Sequence, residues 1–218
     1  MDKNKVISFD IGGTLIRPLS GDWYLTVPLK KYLIDCGFSP EVMGETMQQA
    51  KRLCAIPVLI SSIQEEISAN LSVYRSFFSL LPESAQANEE ELLYFSHYRT
   101  RSELLYEFDT DVSPILESIS RNNELALFSN TVPSVIHYLK SIGFLDMFQY
   151  KLFSCERGLK KPSAEFFDLF LSVVGKPSSN IVLYDDSVRV LQIANQFGIE
   201  GRLVQFEMLG SILRKDFS

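Results

Sequence analysis

The sequence predicts an α/β fold, a doubly wound parallel sheet with an all-helical subdomain inserted into it. Three observations lead there. From residue 113 onward, short apolar runs alternate with helical stretches, the pattern of strand–helix–strand units. From about Trp23 to Tyr106 the pattern is helical, with no convincing strand. A strand-like run, Val6–Phe9, precedes that block, so the helices interrupt the sheet domain and do not stand ahead of it. A chain of 218 residues has room for one large domain, or for a core plus an insertion.

The first strand, Val6-Ile7-Ser8-Phe9, ends in Asp10, and Gly12-Gly13 then turn the chain. Pro18 and Gly21 mark a break. Leu25, Leu29 and Leu33 recur at four-residue intervals on one helix face, which Gly37 ends. A second helix is expected from Ser39-Pro40 to Leu53, with proline well placed in its first turn. A third runs from about Ser62 to Leu81, closed by Pro82, and a fourth from Glu89 to Tyr106. The alternation then begins with a helix over about 113–121 and the strand Leu125–Phe128. A helix opening at Pro133 and ending at Gly143 follows, then a strand within Phe148–Phe153 and a helix from Ser163 to before Gly175. Ile181–Tyr184 is too short for a helix and reads as a buried strand. A helix from Val188, closed by Gly198, precedes a last edge strand, Leu203–Phe206.

Composition narrows the function classes. With 46% hydrophobic and 22% charged residues, the chain is globular and soluble in character. A net charge of −6 argues against a nucleic-acid backbone as partner. Cys36, Cys54 and Cys155 are widely spaced and include no CxxC pair, so reduced thiols and a cytoplasmic location are expected. No run resembles a signal peptide or a membrane span, so no membrane partner is expected.

Three strands end in polar residues suited to one phosphate site, in the crevice at the carboxyl ends of a parallel sheet. Asp10 ends the first. Ser129 ends the next, just before a helix whose free amides and dipole attract anions. Asp185-Asp186 end the third, offering hard oxygens suited to Mg²⁺. Between them, Lys160-Lys161-Pro162 supplies a lysine to neutralise phosphate. Singly, each is commonplace: Ser129-Asn130 is often a helix cap, and paired lysines are often solvated surface. Their common order and placement at strand ends is much harder to obtain by accident.

These motifs resemble the haloacid dehalogenase-like (HAD) superfamily, in which a strand-end Asp, a strand-end Ser/Thr, a Lys before Pro and an acidic pair follow in this order. The resemblance covers nearly the whole sheet domain, including Phe108 to Pro114 and Ser154-Cys155-Glu156-Arg157-Gly158. It implies a Rossmannoid core at residues 1–17 and 107–218, with residues 18–106 as a helical cap. It further implies a phosphohydrolase or phosphotransferase in which Asp10 is the nucleophile, forming an aspartyl phosphate. Ser129 and Lys161 would orient and neutralise the phosphate, with Gly13, Thr14 and Asn130 also binding substrate. Asp10, the Gly12 carbonyl and Asp186, supported by Asp185, would hold Mg²⁺. The implied partner is a small phosphorylated metabolite or other small molecule, with the oligomeric state left open.

Two departures stand out. The family's phosphatases carry a second Asp two residues after the nucleophile, as general acid and base; here it is Gly12. Losing that proton transfer costs about 10²–10⁴ in rate. Four residues after Asp186, where Asp or Asn is usual, stands Val190. An enzyme for good leaving groups, such as acyl or aryl phosphates, would suffer least. A catalytically impaired binding or regulatory protein is the alternative. A phosphonate cleaver would need a cap lysine for an imine, from Lys30, Lys31 or Lys51. The acidic pair argues against a metal-free dehalogenase. A five-residue match of Asp10–Thr14 to the phosphate loop of actin-like sugar kinases leaves the later motifs unexplained. Arg17, Trp23, Tyr24, Lys51 and Arg52 are candidates to face the crevice, although packing or solvated surface is the commoner role for each. His97 and His137 have no evident partner.

Overall fold

All four residues of Val6–Phe9 (β1) are buried, as a central strand covered on both faces must be. The structure, a computed structural model, describes residues 5–217; residues 1–4 and 218, which the expected core bounds include, lie outside the described residues. β1 is followed by Ile16–Pro18 (β2), Tyr106–Phe108 (β3), Glu124–Ser129 (β4), Tyr150–Phe153 (β5), Ile181–Asp185 (β6) and Glu200–Leu203 (β7). Five of them form one sheet in the order β5-β4-β1-β6-β7, every neighbouring pair parallel. Ile7 pairs with Leu125 on one side and Val182 on the other, which aligns the three polar strand ends.

Alternating side chains sort into two apolar layers, as a period of two requires. Ile7, Phe9, Leu125 and Leu127 pack in one cluster with residues of Val112–Ser120, Pro133–Ser141 and the C-terminal helix Leu209–Phe217. Val6, Ala126, Phe128 and Leu183 pack on the other face with Ala164–Val174 and Val188–Gln196. There Phe128 stacks on Phe170 at a ring-centroid distance of 4.4 Å.

The helices Val27–Asp35, Pro40–Leu53, Ile63–Ser79 and Glu89–Tyr98 enclose an apolar cluster of their own, including Leu29, Met47, Phe77 and Phe95. Their starts follow local chemistry. Ser39 and Ser62 accept hydrogen bonds from Val42 and Glu65 amides, and Asn88 forms a capping box with Glu91.

Two expectations need correction. The fourth helix does not reach Tyr106; it stops at Tyr98, and after the short helix Ser102–Leu105 the chain becomes β3. β3 pairs antiparallel with β2, a ribbon that fastens both ends of the helical block. The last strand is Glu200–Leu203, not Leu203–Phe206; backbone pairing with β6 ends at Leu203, and Phe206 begins a 3₁₀ turn. The helix Leu209–Phe217 was not foreseen. Among the described residues, no helix is long and apolar enough to cross a membrane.

Candidate active site

Asp10 follows β1 directly, and its amide extends the sheet by donating to the Tyr184 carbonyl at 2.9 Å. The register thus delivers a carboxylate to the carboxyl edge of the sheet, only 6% exposed. Lys161 reaches it from the loop between β5 and β6. Its Nζ lies 2.7 Å from Asp10 Oδ1 and 2.6 Å from Asp185 Oδ2, with all three groups buried. Asn130 fixes that lysine from the end of β4. Its Oδ1 accepts from the Lys161 amide at 2.8 Å, and its Nδ2 donates to the Lys161 carbonyl at 2.9 Å. The Lys161–Pro162 peptide is cis. Ser129 is fully buried behind Asp10, and its Oγ accepts from the Ile11 amide at 3.3 Å.

The electrostatics follow from three carboxylates facing one ammonium. Burial pushes the Asp10 carboxyl up to about 6; the Lys161 charge opposes this, and Asp185 adds to it. Burial alone would lower the Lys161 pKa, but Asp10 and Asp185 together raise it, so the lysine stays charged. Both oxygens of Asp185 are engaged, since the other accepts from the Ser187 amide at 2.8 Å. Asp186 differs. It stands exposed at the rim, with its Oδ2 2.2 Å from where a Cβ at Gly13 would fall. Desolvation first, then Asp185, raises its pKa. Only glycine, here at φ +83°, lets the loop pass so close.

Asp10, Gly12, Trp23, Asn130, Lys161 and Asp186 line a cleft of about 320 Å³ together with residues of the Val188–Gln196 helix start. It therefore unites most of the residues that the sequence singled out. Gly13 and Thr14, expected to bind substrate, are not among the residues lining this cleft. Their amides are spent on the Ile16 and Ile11 carbonyls, at 2.8 and 3.4 Å, and Thr14 is wholly buried. Arg17 also turns away: it pairs with Glu107 and Glu207 and stacks on Phe206. Arg52, His97 and His137 are exposed. Lys30 is engaged by the Ser20 carbonyl at 2.6 Å.

Trp23, one of the candidates to face the crevice, does line it; what sequence reasoning missed is its contact with position 12. A Cβ at Gly12 would meet its Cη2 at 3.2 Å, so the indole occupies the space that a side chain at Gly12 would enter. Arg189, on the cleft wall, was missed as well. Its one signal was its position three residues after Asp186.

A divalent cation fits this donor set. Asp10 and Asp186 offer hard oxygens, Gly12 keeps a backbone carbonyl, and one lysine leaves surplus negative charge. Among the described residues, no three His, Cys, Asp or Glu side chains form a metal-holding group, so such an ion would draw on the carbonyl and on substrate oxygens.

No family model and no curated protein matches the sequence. Solved structures match the fold. A HAD family enzyme from Bacteroides thetaiotaomicron superposes with a TM-score of 0.64 at 14% identity, over 94% of this chain and 95% of that one. The same enzyme in complex with magnesium and inorganic phosphate gives 0.63 at 16% identity, over 93% and 94%. An L-2-haloacid dehalogenase from Xanthobacter autotrophicus, with chloropropionic acid covalently bound, gives 0.60 at 16% identity, over 92% and 77%. At these identities the likeness establishes the fold: this chain has the Rossmannoid fold of HAD hydrolases.

Proposed function

We propose that the protein is a Mg²⁺-dependent phosphohydrolase or phosphotransferase that works through an aspartyl phosphate on Asp10 and is restricted to good leaving groups. The observation that carries this reading is the buried Lys161, held 2.7 Å from Asp10 at the strand ends. An Asp10 oxygen attacks phosphorus, the bond to the leaving oxygen breaks, and the phosphoryl group resides on the carboxylate. Attack by water, or by another acceptor, then returns free Asp10. Lys161 and the Ser129 hydroxyl neutralise and orient the phosphoryl oxygens, and Asn130 keeps Lys161 in place. Asp10, Asp186 and the Gly12 carbonyl would hold magnesium, which when bound would supply charge neutralisation at the transferring group. The magnesium and phosphate bound to the Bacteroides enzyme support this choice of ion and ligand.

The restriction rests on Gly12 and Trp23. No carboxyl group occupies position 12, and the indole fills the adjacent space. A leaving group that departs unprotonated, the carboxylate of an acyl phosphate or the aryloxide of an aryl phosphate, needs no acid there. The helical block over residues 18–106 serves as the cap, since Trp23 from its first segment roofs the cleft.

The test is Mg²⁺-dependent hydrolysis of acetyl phosphate, p-nitrophenyl phosphate and a sugar phosphate, with Asp10→Asn as control. Turnover of the first two, abolished by the substitution and by chelation, is expected. Ready turnover of the sugar phosphate would refute the restriction. No turnover of any would favour the second reading, a catalytically impaired binding or regulatory protein; Trp23 over Gly12 and the apolar Val190 on the cleft wall are the observations in its favour.

A further inference from the structure

A second cleft, of about 460 Å³, adjoins the one that holds Asp10, and Asn130 lines both. Its walls come from both parts of the fold: Tyr24 and Lys51 from the helical block, Thr131 and Lys160 from the sheet domain, with apolar cover from Ile56 to Ile60. No carboxylate lines it, although the chain as a whole carries a net charge of −6. Among the described residues, neither Lys51 nor Lys160 forms an ion pair. Lys51 Nζ lies 4.7 Å from the centre of the Tyr24 ring, and the buried Arg99 guanidinium lies 5.1 Å from the same ring. Glu66, whose charge bears on Arg99, is already bound to Ser134. Two unpaired ammonium groups therefore share one partly apolar cleft, with a third cation close to the same ring. The Tyr24 and Thr131 hydroxyls have no hydrogen-bond partner in the protein among the described residues, so both are free to bind a ligand oxygen.

We infer that the substrate carries a second anionic group, a carboxylate or another phosphoryl group, which Lys51 and Lys160 hold beyond Asn130 while its first phosphoryl group faces Asp10. This rests on the phosphoryl-transfer reading for the identity of the first group. The second cleft thereby selects doubly anionic small molecules over singly phosphorylated neutral ones.

Calorimetric binding tests this without turnover. The probes are alkylphosphonates, ω-phosphonocarboxylates of equal chain length, and alkane bisphosphonates of the same span, each with Mg²⁺ present. Wild-type protein is expected to bind at least one doubly anionic series about tenfold or more tightly than the alkylphosphonates, the worth of a charge-assisted hydrogen bond. In Lys51→Gln and Lys160→Gln that ratio is expected to fall towards one. The two series separate a carboxylate from a second phosphoryl group as the preferred partner. Equal affinity for all three series in wild-type protein would overturn the inference, as would a ratio that survives both substitutions. If the ratio behaves as expected yet no phosphate ester turns over, the subsite stands and the hydrolase reading fails. If p-nitrophenyl phosphate turns over while the ratio is one, the reverse holds.

Discussion

A Cβ at Gly12 would stand 3.2 Å from Trp23, so restoring the missing acid is a problem of space as well as of charge. Gly12→Asp alone is expected to give little hydrolysis of a sugar phosphate, because the indole must move before the carboxyl group can reach a leaving oxygen. Combined with Trp23→Ala, the same substitution should raise sugar-phosphate hydrolysis by about 10²-fold or more, against a small change for acetyl phosphate. Steady-state rates on both substrates decide it; equal gains would show that leaving-group protonation is not what is missing. Asp10 carries a second consequence. Its pKa is raised from the ordinary carboxylate value to about 6, so its ionised form costs folding free energy that its neutral form does not. That cost is absent below the unfolded value and complete once pH has risen past about 6. In thermal melts with chelator present, Asp10→Asn is therefore expected to be more stable than wild type at pH 7.5, with the gap closing towards pH 4. A wild-type advantage at pH 7.5 would contradict the electrostatic picture of the cleft.

The helix Pro133–Ser141 begins just after the site strand, yet Val132 before it has no side chain able to cap it. Glu66, from Ile63–Ser79 in the helical block, does so instead. Its oxygens accept from the Ser134 amide at 2.8 Å and hydroxyl at 2.7 Å, wholly buried. Glu66→Ala is expected to cost about 1–3 kcal/mol in chemical denaturation, since two buried donors lose their acceptor. Glu66→Gln should cost less, and least at higher pH. Burial, the largest influence, raises the Glu66 pKa against the pull of Ser134 and Arg99. Wild type therefore loses stability as pH rises through that value, whereas the Gln variant does not. At the level of elements, four of the five parallel strands were legible because each is a short, largely apolar run with its own turn residues. The ribbon of Ile16–Pro18 with Tyr106–Phe108 was not, because three-residue strands so far apart in the chain carry no local periodicity. Glu200–Leu203 escaped for a related reason: Gly201 has no side chain and Leu203 is exposed, so backbone pairing alone defines it. Leu209 and Leu213, four apart and fully buried, were the available signal for the last helix.

Across the whole molecule, the sheet register brings Asp10, Ser129 and Asp185 to one edge, and the loops add Lys161 and Asp186. That much of the candidate site followed from order and strand-end placement in the sequence. What did not follow was the contribution of the helical block, because contacts such as Trp23 over Gly12 and Glu66 on Ser134 join segments with no common pattern. The block also supplies Tyr24 and Lys51 to the second cleft, so it bears on both candidate binding regions. The same deficiency at position 12 bears on turnover as a whole. On the proposed mechanism, a residue that protonates the leaving oxygen in the first step would activate water in the second, so its absence should slow release of the phosphoryl group from Asp10. The covalent intermediate should then accumulate. The most direct measurement is mass spectrometry of protein quenched in acid during turnover of acetyl phosphate with Mg²⁺. A phosphoryl adduct on the peptide containing Asp10, sensitive to hydroxylamine and absent in Asp10→Asn, is the expected result. Turnover with no adduct there, or an adduct that persists in Asp10→Asn, would contradict the assignment of Asp10 as the nucleophile.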